Sequence, residues 1–169
     1  EGSHEENIII NETLLTGVQN VSFSQNVSEN PVSMLGNDFA GTTINSPTTV
    51  TASVDKLLLN SDFVTGLTGL TTISGQFEYG DNYLNFSQAV LNSYAVSASV
   101  GELPQISFDL SIYGSLSGSE VSIASLASNE NAIENVPQSG LIVTFDKNET
   151  NAIQSFTFSE TFNVQPVYG

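Results

Sequence analysis

Val18-Gln-Asn-Val-Ser-Phe-Ser-Gln-Asn-Val-Ser-Glu-Asn-Pro-Val-Ser-Met34 has a counterpart at Ile153-Gln-Ser-Phe-Thr-Phe-Ser-Glu-Thr-Phe-Asn-Val-Gln-Pro-Val-Tyr-Gly169, and the two align without a gap. Gln19 falls on Gln154, Phe23 on Phe158, Ser24 on Ser159, Pro31 on Pro166 and Val32 on Val167. Val21 meets Phe156, Ser22 meets Thr157 and Val27 meets Phe162, so side-chain character is kept where identity is lost. Apolar and hydroxyl residues alternate in each copy, which is the period of a strand with one face inward. Pro31 and Pro166 have no N–H to give a ladder, so each ends central pairing or marks an edge. Two readings stand. Either two Ser-rich strands look alike through composition, or 153–169 is a pseudo-repeat of 18–34, one unit followed by the first strand of another.

The segments between the copies carry the same signature. Val50, Ala52 and Val54 alternate with Thr49, Thr51 and Ser53. Ile73, Phe77 and Tyr79 precede the turn Gly80-Asp81-Asn82, and Leu84 and Phe86 begin a return strand. Tyr94, Val96, Ala98 and Val100 form a further strand, and Ile106, Phe108, Leu110 and Ile112 the clearest one. Leu141, Val143 and Phe145 make a strand before the Asp146-Lys147-Asn148-Glu149 turn. Val54, Leu57 and Leu58 have helical spacing and Ser61-Asp62 suits a cap, which predicts one short helix within 55–66. Many short strands with turns between them predict a mainly β fold, an antiparallel β-sandwich or barrel with one short helix.

Two parts are expected. Residues 1–12 read as a flexible or partner-bound N-terminal arm, with Ile8, Ile9 and Ile10 as a strand that pairs either with a neighbour's sheet edge or within its own domain. Residues 13–169 read as a single β-sandwich domain, long enough for its own core. Positions 1–7 show no secretory signal, and Gly2-Ser3-His4 resembles a cloning remnant, which leaves His4 without a functional reading.

The charge balance is extreme. There are 18 Asp and Glu against Lys56 and Lys147, with no Arg, for a net charge of −16. Phosphate backbones are held by clustered Lys and Arg, so stable nucleic-acid binding is not expected, and neither is an anionic membrane surface. Only 12% of residues are charged and 39% are hydrophobic, which separates this chain from a disordered acidic tail. No apolar run approaches a membrane-helix span. The absence of Cys excludes a disulfide framework and thiolate metal sites. Natural edge strands are commonly guarded by Lys. This chain has almost none, so its edges are expected to be paired in the working state, by closure or by neighbours.

Catalytic chemistry is not visible. The single His allows no more than one His-dependent nucleophile and sits in the apparent cloning remnant, and neither a Gly-x-Ser-x-Gly elbow nor a phosphate loop is present. Acidic residues are spread evenly, so nothing selects a glycosidase pair. No cofactor is expected. The only metal candidates are Asp146, Asn148 and Glu149, hard oxygen ligands suited to Ca²⁺ but without the spacing of a calcium loop, in a place where Asp and Asn are ordinary turn formers. Asn11, Asn20, Asn26, Asn85 and Asn148 each head an Asn-x-Ser/Thr triplet, about as many as such a composition gives by chance.

Three stretches resemble structural proteins of tailed bacteriophages, in particular the tail-tube-like virion proteins of large myophages. They are Leu15-Thr-Gly-Val-Gln-Asn-Val-Ser-Phe-Ser24 with Pro31 and Leu35-Gly36; Leu91-Asn-Ser-Tyr-Ala-Val-Ser-Ala-Ser-Val-Gly-Glu-Leu-Pro104 running into Ile106-Ser-Phe108; and Ile153-Gln-Ser-Phe-Thr-Phe-Ser159 with Pro166-Val-Tyr-Gly169. The resemblance implies a β-sandwich or barrel packed side by side into rings that stack into a tube for DNA. Its partners would be copies of itself and other virion proteins, and its location the virion tail.

The residues themselves leave two structural roles open. One is a non-enzymatic virion subunit that assembles through β edges, with Ile8, Ile9, Ile10, Pro31 and Pro166 as the assembly candidates. The other is an extracellular filament or surface subunit that donates its N-terminal strand to a neighbour. A monomeric carbohydrate- or calcium-binding sandwich is a third possibility. Carboxylates along a tube lumen would repel phosphate and let DNA slide; acidity that only keeps the protein soluble is the plainer reading.

Overall fold

Alternation of burial decides where the chain folds. In Thr49–Leu57, Val50, Ala52, Val54 and Lys56 are buried, and in Gln105–Ile112 it is Ile106, Phe108, Leu110 and Ile112, with Ser111 also buried near the strand's end. Each strand therefore has one face that must be covered. The computed structural model describes residues 7–26, 29–32, 42–45, 49–59, 62, 64–68, 72–113, 116–118, 127–128, 141–145 and 148–164.

In chain order the strands are β1 (Asn7–Ile10), β2 (Thr13–Leu15), β3 (Val18–Asn26), β4 (Glu29–Val32), β5 (Thr42–Asn45) and β6 (Thr49–Leu57). A 3-10 turn at Val64–Leu67 follows, then β7 (Ile73–Tyr79), β8 (Asn82–Ser99), β9 (Gln105–Ile112) and β10 (Ala127–Ser128). The last are β11 (Leu141–Phe145), β12 (Asn148–Ile153) and β13 (Ser155–Thr161). The main sheet runs β10-β2-β1-β7-β8-β9-β6-β3, with β13 added beside β8. The hairpins β4–β5 and β11–β12 pair apart from it.

The sheet is not closed. It is folded over along β8, whose 18 residues serve two layers. Tyr83–Phe86 pair with β7, whereas Ser93–Ser97 lie between β9 and β13. Ladder shifts at Ile73/Gly75 and Leu91/Ser93 mark the bend. Burial there runs through Ala89, Val90 and Leu91 without alternation, because both faces of the strand are covered. One layer is thus β3-β6-β9-β8-β13, all antiparallel. The other holds β2, β1, β7 and the start of β8. A single core joins them: Ile8, Ile10 and Phe77 from one layer, Val54, Phe108 and Leu110 from the other. Each such side chain contributes about 1.5–3 kcal/mol by leaving water.

The sequence reading is amended in three places. Ile8, Ile9 and Ile10 are not a free arm. They form β1, inside the sheet between β2 and β7, and are 1%, 5% and 0% exposed. The cause is local: Asn11 and Glu12 both take positive φ (46° and 63°), a two-residue turn that folds Thr13–Leu15 back onto Ile8–Ile10. Within the single chain this strand therefore has a partner on each side. The rest of the expected arm, 1–6, lies outside the described residues.

The short helix shrinks to the 3-10 turn. β6 runs on through Leu57 because the Lys56 stem takes a core position that Leu57 and Leu58 were expected to fill. Asp62 caps the turn: the Val64 N–H donates to its Oδ1 at 2.9 Å, and the Thr65 hydroxyl donates to its backbone carbonyl at 2.9 Å. Third, the strands expected at 84–86 and 94–100 are one strand, β8.

Candidate assembly interface

The two copies of the repeat occupy equivalent places. β3 is the outer strand of the five-stranded layer on one side and β13 on the other. Among the described residues each has a single partner strand, β6 and β8 respectively, and its other edge has no ladder. Burial reflects this. Every residue of β13 is exposed, as is most of β3. Phe23, Phe156, Phe158 and Val164 stand 39%, 42%, 45% and 45% exposed. Neither edge carries the protection usual in a monomer. β3 contains no charged residue and β13 contains only Glu160, in a chain of net charge −16.

Register fixes which side chains share a face. One row across the layer is Val21, Val54, Phe108, Tyr94 and Glu160; the next is Lys56, Ile106, Val96 and Phe158. These point to the core side. The opposite face has rows of short polar side chains: Ser22, Ser53, Asp109, Ser93 and Thr161, then Asn20, Asp55, Ser107, Ala95 and Ser159. Ser53 and Ser93 hydroxyls each donate to Asp109, to Oδ1 and Oδ2, at 2.5 Å. Ser107 donates to Asp55 Oδ1 at 2.6 Å, and the Asn20 amide donates to Oδ2 at 3.3 Å. The carboxylates are held flat by hydroxyls from neighbouring strands. No cation stands on this face among the described residues.

The one described lysine is elsewhere. Lys56 is 6% exposed on the core side, and burial lowers its pKa while Asp62 opposes that shift. The Tyr94 hydroxyl donates to Asp62, and burial, with that hydrogen bond and the Asp62 charge, raises its pKa.

The remaining candidates are scattered. Pro31 lies in β4 opposite Thr43, within a two-stranded hairpin, where the strand continues to Val32. Pro166 and Asp146 lie outside the described residues. Asn148 and Glu149 open β12, opposite Phe145 and Thr144. Of the glycosylation triplets, Asn85 is 7% exposed, so a glycan has no room there. What sequence reading missed is that the two repeat strands bound one layer; their lack of charge was the available signal.

No protein-family model matches the sequence. No curated protein matches it either. Among solved structures, the fold is similar to a chain of the virion of a native gene transfer agent particle, with a TM-score of 0.51 at 13% identity over 68% of this chain and 95% of that one. It is likewise similar to a chain of the tail of an empty gene transfer agent particle, refined helically with C6 symmetry, with a TM-score of 0.50 at 13% identity over 69% of this chain and 96% of that one. The chain is thus similar in fold to components of a virion and of its tail.

Proposed function

We propose that this protein is a non-enzymatic structural subunit of a phage-type virion, in the tail tube or a tube-like part, and that copies of it assemble through β edges into rings or a tube. The observation that carries this reading is the state of β3 and β13. Both are outer strands with a single partner strand among the described residues, both show exposed phenylalanines between uncharged polar side chains, and they carry one charge between them, in a molecule with acidic residues to spare. A monomer with such edges is prone to pair with another chain. The likeness in fold to a virion chain and a tail chain supports the same role.

The polar face of the five-stranded layer fits a tube lumen. Its side chains are short, the Ser53, Ser93 and Ser107 hydroxyls are engaged with Asp109 and Asp55, and among the described residues it offers phosphate no cation. DNA would pass along such a wall without adhering. Negative-stain electron microscopy of the concentrated protein tests the role. Stacked hollow rings or tubes are expected; a monomer at all concentrations, by sedimentation, overturns it.

A further inference from the structure

We infer that β13 of one copy pairs with β3 of the next, in parallel and with the two repeats in register, so that the five-stranded layer continues from subunit to subunit. This rests on the ring or tube reading and names the partner strand for each edge.

Direction comes first. Four antiparallel steps lead from β3 through β6, β9 and β8 to β13, so β3 and β13 run the same way and their open edges face opposite sides. Rotating a copy along the layer brings its β13 edge to this β3 edge as a parallel pair. The contact is head to tail and satisfies both edges with one interface, whereas a β3–β3 contact would leave β13 open.

Face parity agrees. In-register pairing sets Phe158 of one copy beside Phe23 of the next, and Phe156 beside Val21. All four residues belong to the core side of the layer, and Ser24 and Ser159 to the other. The apolar side and the hydroxyl side therefore both run on unbroken, with like residues stacked as in parallel ladders. A shift of one residue would put the phenylalanines on the hydroxyl side.

The register also sets a stagger. Straight across the layer Val21 faces Glu160, but in the repeat it matches Phe156, four residues away. Four residues along a strand against five strands across is about 13 Å against about 24 Å, a strand tilt of about 30° to the ring axis. That is somewhat below the roughly 35–45° tilt of closed barrels, which need a shear of this kind. With the six-fold symmetry of the tail chain that this fold resembles, the ring would measure about 50 Å across at the strand backbones.

The chain has no Cys, so cross-links report cleanly. Ser24→Cys and Ser159→Cys protein are mixed, assembled and oxidised. Residues in register lie within disulfide reach, so the mixture is expected to give covalent dimers about ten-fold faster than Ser22→Cys with Ser159→Cys, which the register offsets. Ser22→Cys with Thr157→Cys is a second aligned pair, and melting of the reduced proteins checks the fold. Cross-linking of Ser24→Cys or Ser159→Cys protein alone overturns the pairing, as do rings in the microscope with no cross-link in either aligned mixture. If the unmodified protein forms neither ring nor tube, the proposed function falls and the pairing with it.

Discussion

Phe23 meets Phe77 edge-on, with ring centroids 4.5 Å apart and the planes at 85°, although one belongs to the outermost strand of the five-stranded layer and the other to the opposite layer. Phe77 in turn stacks on Phe86 at 5.3 Å. A groove of about 420 Å³, lined by Ile8, Val21, Phe23 and Phe77 among others, follows this seam where the sheet stays open. Phe23 is only partly buried, so Phe23→Ala is expected to cost about 1–2 kcal/mol, much of it from the aromatic pair. Phe77→Ala, at 2% exposure, is expected to cost about 3–5 kcal/mol. Urea melts of the two variants check the order, and equal losses would contradict it.

The β1–β2 turn holds Glu12 at φ 63°, a conformation that costs a residue with a side chain about 1 kcal/mol. Glu12→Gly is expected to raise the melting temperature by about 2–4 °C. A fall would mean that Glu12 makes a contact worth more than its strain.

Gly75 is constrained by space. A Cβ there would lie 2.5 Å from the Ile9 carbonyl oxygen and 2.6 Å from Phe86 Cζ. The backbone of β1 has no room to retreat, since Ile9 is paired on both sides. Gly75→Val is expected to destabilise by about 3 kcal/mol or more, beyond the usual range for a point substitution. Chemical denaturation measures it, and a loss below about 1 kcal/mol would show that the strands separate easily.

Much of this fold was legible because β strands declare themselves by alternation. Ile106–Ile112, Ile73–Tyr79 and the leading part of each repeat copy, Val18–Asn26 and Ser155–Thr161, read as strands and are strands. What was missed depends on contacts distant in sequence. The Ile8–Ile10 run could be read either as a donated strand or as one of its own domain, because nothing in it reveals that Phe77 and Gln76 lie alongside. The helix suggested within 55–66 is confined to the 3-10 turn at Val64–Leu67, because β6 continues through Leu57 with the Lys56 stem in a core position, which a polar/apolar code does not register. For the candidate site, the repeat itself was visible; that its copies bound one layer requires the pairing order.

Lys56 and Tyr94 give stability an alkaline signature. Burial lowers the Lys56 pKa from its ordinary 10.5, so below that value the unfolded chain holds a proton that the folded chain releases, and raising the pH through this window favours folding. The Tyr94 pKa is raised above its ordinary 10.0, so beyond pH 10.0 the unfolded chain loses a proton that the folded one keeps, and folding weakens. Relative to wild type, Lys56→Met is expected to lose the rise approaching pH 10 and Tyr94→Phe the fall beyond it. Melting temperatures across pH 7–11.5 test this; parallel profiles for wild type and Lys56→Met would remove Lys56 from the explanation.

A single charge should suffice to separate assembly from folding. Phe156 is 42% exposed and lies at the end of β13, opposite Ala98, so its replacement leaves no large cavity. Lys on an edge strand is a common natural guard against pairing, and this edge has none. Phe156→Lys is therefore expected to keep the melting temperature within a few degrees of wild type, since partly exposed substitutions cost little. It is also expected to abolish rings or tubes in micrographs and to sediment as a monomer. The alternative that any added positive charge disrupts a chain of −16 is controlled by Glu102→Lys, in the exposed turn between β8 and β9. If Glu102→Lys assembles and Phe156→Lys does not, the edge is the interface; if Phe156→Lys assembles as wild type does, β13 is not where neighbours meet.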